Sequence, residues 1–113
     1  MGARNMQTSL RRLDNVVIVD VVGDIDLHNS PRLRKTLLET LQQASRVVVN
    51  LEQVRYIDSS GIASLVEGLK ESQSLKNRFI LFGLSKAARE VLRLTRLINV
   101  FEVYETEQQA LDA

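Results

Sequence analysis

The residues best suited to chemistry stand together in the segment Asp58-Ser59-Ser60-Gly61, which joins an acid, two hydroxyls and a glycine. Hydroxyls at the start of a helix commonly accept hydrogen bonds from the free N–H groups of its first turn. They can also act as nucleophiles or accept a phosphoryl group. On the residues alone, the segment favours helix capping, and a role as a modified site stays open.

Enzymatic use of these serines is disfavoured by their surroundings. A nucleophile elbow needs the pattern G-x-S-x-G, and Asp58 stands where its first glycine belongs. A catalytic triad also needs a histidine, but the single one, His28, falls in a predicted surface loop. The segment does not match a glycine-rich phosphate loop. We therefore expect no catalytic residue, no bound cofactor and no enzymatic activity.

Composition and charge bear on the possible partners. Lys and Arg number 15 against 14 Asp and Glu, so the net charge of +1 offers no electrostatic case for direct nucleic-acid binding. No apolar run approaches the roughly 18 residues of a membrane span. Asp24, Asp26 and Asp58 could converge, but their spacing is not that of a metal site. The absence of cysteine fits a reducing compartment, and we expect a cytoplasmic protein without metal or membrane contact.

These residues must be positioned by alternating strands and helices. Apolar, β-branched runs predict strands, and apolar residues at helical spacing predict helices. Together they predict the order β-β-α-β-α-β-α-β with a short C-terminal helix, which is an α/β domain with a small mixed sheet covered by helices. Right-handed crossovers would bring the junctions Gly23–Asn29 and Ile57–Gly61 to one edge of the sheet. The predicted strands are Gln7–Leu13, Val16–Val22, Arg46–Leu51, Phe79–Phe82 and Phe101–Tyr104.

A row of cations follows in the third predicted helix. Lys86, Arg89, Arg93 and Arg96 are spaced at i, i+3, i+7 and i+10, which places them on one helix face. Most such rows are simply solvated. The functional alternative is a contact for an acidic partner, whereas nucleic acid is disfavoured because no aromatic residue interleaves with the row.

Three stretches carry a resemblance to a known family: "VVGDIDLHNSPRL", "VVVNLEQVRYIDSSGIASLVEGLK" and "ILFGLSKAAREVLRLTRLINVFEVYETEQQAL". Together they resemble bacterial anti-sigma factor antagonists of the STAS domain family, and the most specific element is D-S-S-G at 58–61. One departure is Ala63, where many members have a second glycine. The resemblance implies a single STAS domain over residues 7–113, with residues 1–6 as a disordered or expression-derived N-terminus.

The resemblance also implies a function. In this family the serine before the glycine is the phosphorylation site, which is Ser60 here, and Ser59 then becomes the local helix cap. The unphosphorylated protein binds an anti-sigma factor that is also a serine-protein kinase, and this frees the sigma factor. A PPM-type serine phosphatase reverses the modification. We expect a monomer without catalytic groups of its own.

The partner surface is expected around the same junction. We assign partner binding to six residues: Asp26, Asp58, Ser59, Gly61, Ile62 and Ser64. Asp26 is expected as a second contact on the same edge, and Gly61 would leave room for the kinase. Ile62 and Ser64 are expected to be exposed on the second helix and to widen the patch. Asp26 could equally cap its own loop, and Ile62 could belong to the core. The alternative function is a STAS docking subunit of a lipid-transport ATPase complex or of a signalling scaffold, without phosphorylation.

Overall fold

Five strands form one sheet whose spatial order equals their order along the chain, β1-β2-β3-β4-β5. The computed structural model describes residues 5–113. The first two strands are antiparallel and all other neighbours are parallel. The predicted order of elements is confirmed, and their bounds are β1 Met6–Leu13, β2 Val16–Ile25, α1 Ser30–Gln43, β3 Arg46–Ile57, α2 Ser59–Leu75, β4 Arg78–Phe82, α3 Lys86–Leu94, β5 Glu102–Tyr104 and α4 Glu107–Asp112.

The two faces of the sheet are covered unequally. Helices α1, α2 and α3 pack on one face, where alternate residues of the strands join the apolar side of each helix in the main core. The opposite face is covered by α4, which adds Ala110 to a smaller cluster of strand residues: Ile18, Val48, Ile80 and Phe82. Strands β2, β3 and β4 are therefore buried on both faces, which explains why their sequences are continuous apolar runs rather than alternating ones.

Strand β3 is longer than its apolar run predicts. It continues from Leu51 to Ile57, and in this second half it pairs only with β2. The pairing of β2 with this half of β3 shifts register twice, between Asp20 and Val22 and between Gly23 and Asp24. An extra residue at such a shift breaks the alternation of side chains. Polar side chains in this half of β3 can therefore face solvent while the strand continues.

The domain begins slightly earlier than predicted. Met6 opens β1 and its side chain is buried in the main core, and the Asn5 carbonyl accepts a hydrogen bond from the Asp24 N–H at 2.8 Å. The expectation that residues 1–6 lie outside the fold is thus wrong for Asn5 and Met6, and residues 1–4 lie outside the described part. None of the helices within residues 5–113 is both long and apolar enough to cross a membrane.

Helix α3 ends before the last cation of the predicted row. Its final helical residue is Leu94, and Arg96 follows in a left-handed turn with φ 62°. The prediction that four cations share one face of the helix is therefore wrong for Arg96. Lys86, Arg89 and Arg93 do lie on α3, and Ser85 caps its start by accepting from the Ala88 N–H at 3.1 Å.

Candidate functional site

The site lies at the edge where the neighbouring parallel strands β2 and β3 end. Ile25 and Ile57 are register partners, and the Asp58 N–H donates to the Ile25 carbonyl at 3.2 Å. The loop that follows β2 and the helix that follows β3 therefore start side by side. This confirms the predicted meeting of the two junctions and brings Asp26 and the Ser60 turn to one corner of the molecule.

Helix α2 is capped by Asp58, so the prediction of a Ser59 cap is wrong. The helix already begins at Ser59, and the Asp58 Oδ1 atom accepts from the Ser60 N–H at 3.0 Å and from the Gly61 N–H at 3.3 Å. A carboxylate satisfies two free N–H groups of the first turn and also suits the positive end of the helix dipole. Ser59 is left exposed, with its hydroxyl outside the cap.

The Ser60 hydroxyl is bound to the same carboxylate. Ser60 Oγ donates to Asp58 Oδ1 at 2.5 Å, and the residue is partly exposed at the surface. One carboxylate oxygen thus holds the backbone and the side chain of Ser60 together. This fixes the direction of the hydroxyl relative to the first turn of α2.

The loop after β2 is shaped by Asp26, which is partly exposed. Its Oδ1 atom accepts from the N–H groups of His28 at 3.0 Å and Asn29 at 3.1 Å. The Asn29 side chain returns two bonds, accepting from the Asp26 N–H at 2.9 Å and donating to the Asp24 carbonyl at 2.8 Å. The loop-capping role of Asp26 is therefore real, and it leaves the carboxylate at the surface of the same corner.

A buried serine joins the two halves of the site. Ser64 Oγ lies 3.0 Å from the Ser30 carbonyl in the first turn of α1 and 3.2 Å from the Ser60 carbonyl in the first turn of α2. A hydroxyl has one proton to donate, so these two carbonyls share it. Ser64 therefore ties the start of α1, and with it the Asp26 loop, to the turn that carries Ser60.

Three of the expected contact residues face inward. Ile62 is 5% exposed and Ser64 is 4% exposed, so the expectation that these two widen an exposed patch is wrong. The cause is that α2 packs against both α1 and the sheet, which buries a wide arc of the helix. Gly61 is buried too: a Cβ there would lie 2.7 Å from Ile25 Cγ2 and 2.7 Å from Ile57 Cγ1. The packing under the helix is by itself a reason for a glycine at this position.

One exposed apolar residue of this corner was not predicted from the sequence. Leu27 follows Asp26 in the loop and is 73% exposed. An apolar side chain in the polar turn Asp26-Leu27-His28-Asn29 is the signal that could have identified it, because exposed apolar groups beside polar ones mark contact surfaces. His28 is exposed as predicted.

The acidic residues of the corner do not form a metal site. Asp24 forms an ion pair with Arg55, in which Asp24 Oδ2 lies 3.6 Å from Arg55 Nη2. In the described part of the chain, no three side chains of His, Cys, Asp or Glu gather closely enough to hold a metal ion. The corner thus presents the Ser60 hydroxyl, held by Asp58, and partly exposed carboxylates.

Comparison with known families places the whole domain. The family model of the STAS domain matches residues 7–110. Among curated proteins, the chain is similar to the anti-sigma-B factor antagonist of Listeria monocytogenes, with 29% identity over 89 residues and 77% of each chain covered. It is also similar to the anti-sigma F factor antagonist of Paenibacillus polymyxa, with 24% identity over 109 residues, covering 95% of this chain and 93% of the relative.

The fold has counterparts among solved structures. An anti-sigma factor antagonist from Mycobacterium paratuberculosis superposes with a TM-score of 0.86 at 25% identity, covering 96% of this chain and 92% of the other. The Bacillus cell fate determinant SpoIIAA in its phosphorylated form gives a TM-score of 0.73 at 22% identity, covering 94% of this chain and 97% of the other.

Proposed function

This chain belongs to the STAS domain family, and from that premise we propose that it is an anti-sigma factor antagonist switched by phosphorylation of Ser60. The unphosphorylated form binds an anti-sigma factor with serine-kinase activity in the cytoplasm and so releases the sigma factor. Phosphorylation ends the binding, and a PPM-type phosphatase restores it. The chain supplies no catalytic group, because ATP, metal and base belong to the kinase.

The observation that carries this proposal is the Ser60 hydroxyl, held by Asp58 at a partly exposed helix start. Two curated relatives that align over most of this chain are named as antagonists of anti-sigma factors. SpoIIAA, which shares the fold, exists in unphosphorylated and phosphorylated forms, so that protein keeps the fold in both states. These points support a modification that changes the surface and not the scaffold.

The geometry gives the modification a physical effect. Phosphorylation removes the proton that Ser60 Oγ donates to Asp58 and adds a charge of about −1.5 to −2. The new phosphate is repelled by the Asp58 carboxylate and attracted by the positive end of α2, worth about 0.3–1 kcal/mol. The side chain therefore leaves Asp58 and turns outward, while the cap bonds from the Ser60 and Gly61 N–H groups remain.

The contact surface proposed for the kinase consists of exposed and partly exposed groups at this corner. Ser59 is exposed beside Ser60, Leu27 is exposed on the neighbouring loop, and the Asp26 and Asp58 carboxylates are partly exposed. An apolar residue ringed by polar ones is the usual arrangement of an interface centre. A phosphate introduced there must be desolvated against the partner, and an uncompensated buried charge costs several kcal/mol.

Phosphopeptide mapping after incubation with the cognate kinase and ATP tests the assignment. We expect phosphate on Ser60 alone, none on the Ser60→Ala variant, and full incorporation on the matched Ser59→Ala variant. Phosphate on another residue contradicts the site. If the protein binds its partner but never accepts phosphate, the alternative of a docking subunit of a transport or signalling complex takes its place.

Ser60→Asp separates binding from folding. We expect the affinity for the kinase to fall by roughly a hundredfold, equivalent to about 3 kcal/mol, because a charge enters the interface. We expect the melting temperature to stay nearly unchanged, because an acid at the start of a helix suits its dipole. Calorimetric titration and thermal unfolding measure the two effects, and Ser60→Ala, which keeps binding, is the control. Loss of binding through unfolding would contradict the switch.

A further inference from the structure

The outer side of α3 carries cations that the Ser60 site does not use. Lys86, Arg89 and Arg93 are spaced along this side, and none of them makes a side-chain hydrogen bond or ion pair with another residue of the range 5–113. Arginine side chains before α3 in that range form a hydrogen bond or an ion pair with a carboxylate, an amide or a backbone carbonyl: Arg11, Arg12, Arg32, Arg34, Arg46, Arg55 and Arg78. The unpaired guanidinium groups are thus concentrated on α3 and the turn that follows it.

A shallow groove runs between these cations. It is lined by Lys86, Arg89, Glu90, Arg93 and Leu94, and we call it the α3 groove. Leu94 at its end is 77% exposed, more than any other large hydrophobic residue described. Ala88 and Leu92 on the inner side of the helix are buried in the core, so the position of the helix that carries the groove is fixed. An exposed leucine and unpaired guanidinium groups are features of a contact surface.

We propose that the α3 groove binds an acidic segment of a partner protein, in which an apolar side chain is flanked by Asp or Glu. The apolar side chain would lie on Leu94 and on the aliphatic stems of the arginines, which cover apolar surface readily. The flanking carboxylates would pair with the guanidinium groups of Arg89 and Arg93, whose planar donors fit carboxylates in a bidentate way. The guanidinium groups of Arg89 and Arg93, which have no partner within residues 5–113, are then matched, while the Glu90 carboxylate on the same groove stays in solvent.

The same features disfavour other occupants. A helix that lies in a membrane surface must bury its apolar side in lipid, and the apolar side of α3 is already in the core. Single-stranded nucleic acid is held by aromatic stacking, and no aromatic residue lines the groove. The α3 groove also shares no residue with the Ser60 corner, so its role goes beyond the proposed function and does not depend on it.

Binding of a synthetic peptide tests the proposal with the intact protein. The probe is a fluorescent peptide with a central leucine flanked on both sides by glutamates, and its affinity is measured by anisotropy at physiological salt. We expect Arg89→Glu/Arg93→Glu to weaken binding at least about tenfold. The matched control is Lys35→Glu/Lys70→Glu, which reverses the same number of charges on α1 and α2. It should change affinity less than about twofold, because distant charges are screened.

A second variant and a second probe give further outcomes. Leu94→Ser should weaken binding about fivefold without a change in net charge, and a peptide with serine in place of leucine should lose the same factor. Equal losses in the two double variants would overturn the proposal, because only net charge would matter. No binding of the peptide, or binding instead to phosphatidylglycerol vesicles that depends on Arg89 and Arg93, would overturn it too. Ser60→Ala should bind the peptide unchanged.

Discussion

The two faces of the sheet are held by different forces. The face under α1, α2 and α3 has a large core of aliphatic side chains. The face under α4 has a small cluster, and contacts of arginines surround it. Apolar burial acts in proportion to area and does not depend on pH, whereas partly exposed ion pairs are weak and titrate. The Ser60 corner lies at the start of α2 on the first face, away from the arginine contacts of α4.

The arginine contacts come from three strands. Arg11 of β1 donates to Asp20 Oδ2 at 2.7 Å and to Glu107 Oε1 of α4 at 2.7 Å. Arg46 of β3 and Arg78 of β4 donate to the backbone carbonyls of the last residues, Leu111 at 2.9 Å and Ala113 at 2.8 Å. The C-terminal helix is therefore fastened mainly at its ends, and the contrast between the faces can be tested by substitution.

The largest expected effect comes from the core under α2. Leu65 is fully buried there, and Leu65→Ala should lower the free energy of unfolding by about 2–5 kcal/mol, because it leaves a cavity. The matched change on the other face, Leu111→Ala, affects a partly buried residue and should cost about 1 kcal/mol. Urea unfolding of both variants measures the difference. Equal losses would contradict the unequal roles of the two faces.

The second effect is steric and lies directly below the candidate site. Gly61→Val should cost about 2–3 kcal/mol, because its Cβ would meet Ile25 and Ile57 at 2.7 Å. Ala63→Val, on the same turn but exposed, is the matched control and should change stability by less than about 0.5 kcal/mol. Thermal unfolding gives both values. A Gly61→Val protein of normal stability would mean that the glycine is needed for a partner after all.

The third effect should depend on pH. The pKa of Asp20 lies below its ordinary value, first because Arg11 donates to it, and Asn50 contributes while burial opposes the shift. A lowered folded-state pKa adds stability above the unfolded value of 3.8, and this stability is lost as the pH falls through the folded value. Arg11→Met should thus cost about 0.5–1 kcal/mol near neutral pH and almost nothing in acid.

Unfolding measured from pH 7 downward checks this prediction. Arg12→Met is the matched control, because Arg12 bonds only to the neutral amide of Gln43. Its stability should run parallel to that of the unmodified protein at all pH values. A constant difference between Arg11→Met and the unmodified protein would show that Arg11 acts through packing and not through its carboxylate partners.

The smallest effect should be a gain. Lys76 caps the C-terminal end of α2 with φ 59°, a left-handed conformation that favours glycine. Lys76→Gly should raise stability by about 0.5–1 kcal/mol, because the strain of the side chain is removed. Lys70→Gly, in the middle of the same helix, should instead lower stability by about 1 kcal/mol. Changes of opposite sign for the two lysine-to-glycine substitutions, one at the C-cap and one inside the helix, would confirm that backbone conformation decides the outcome.

Much of the fold could be predicted because the relevant signals are local. The strands carry continuous apolar runs, Ser85 caps α3, and Thr106 with Gln109 forms the capping box of α4. The meeting of the two junctions followed from the handedness of parallel crossovers. The second half of β3 could not be predicted, because its polar residues are tolerated only where the strand pairs on one side and the register shifts.

The candidate site was predicted in position and less well in detail. The helix begins one residue earlier than expected, so the cap passes from Ser59 to Asp58, and helix ends are the least certain part of any sequence pattern. The inward positions of Ser64 and Gly61 depend on α1 and the sheet packing against α2 at once. That packing is a tertiary relation between distant segments, which no local spacing encodes.

The single proton of Ser64 makes this site readable by spectroscopy. It lies between two carbonyls that belong to different helices, so a small sliding of α1 against α2 changes which of them it serves. The NMR resonance of the Ser64 hydroxyl therefore reports whether a change at the corner alters the packing of α1 against α2. A change in the chemical shift of this hydroxyl after modification of the corner would show that the two helices move together. An unchanged chemical shift would show that the structural change is confined to the surface.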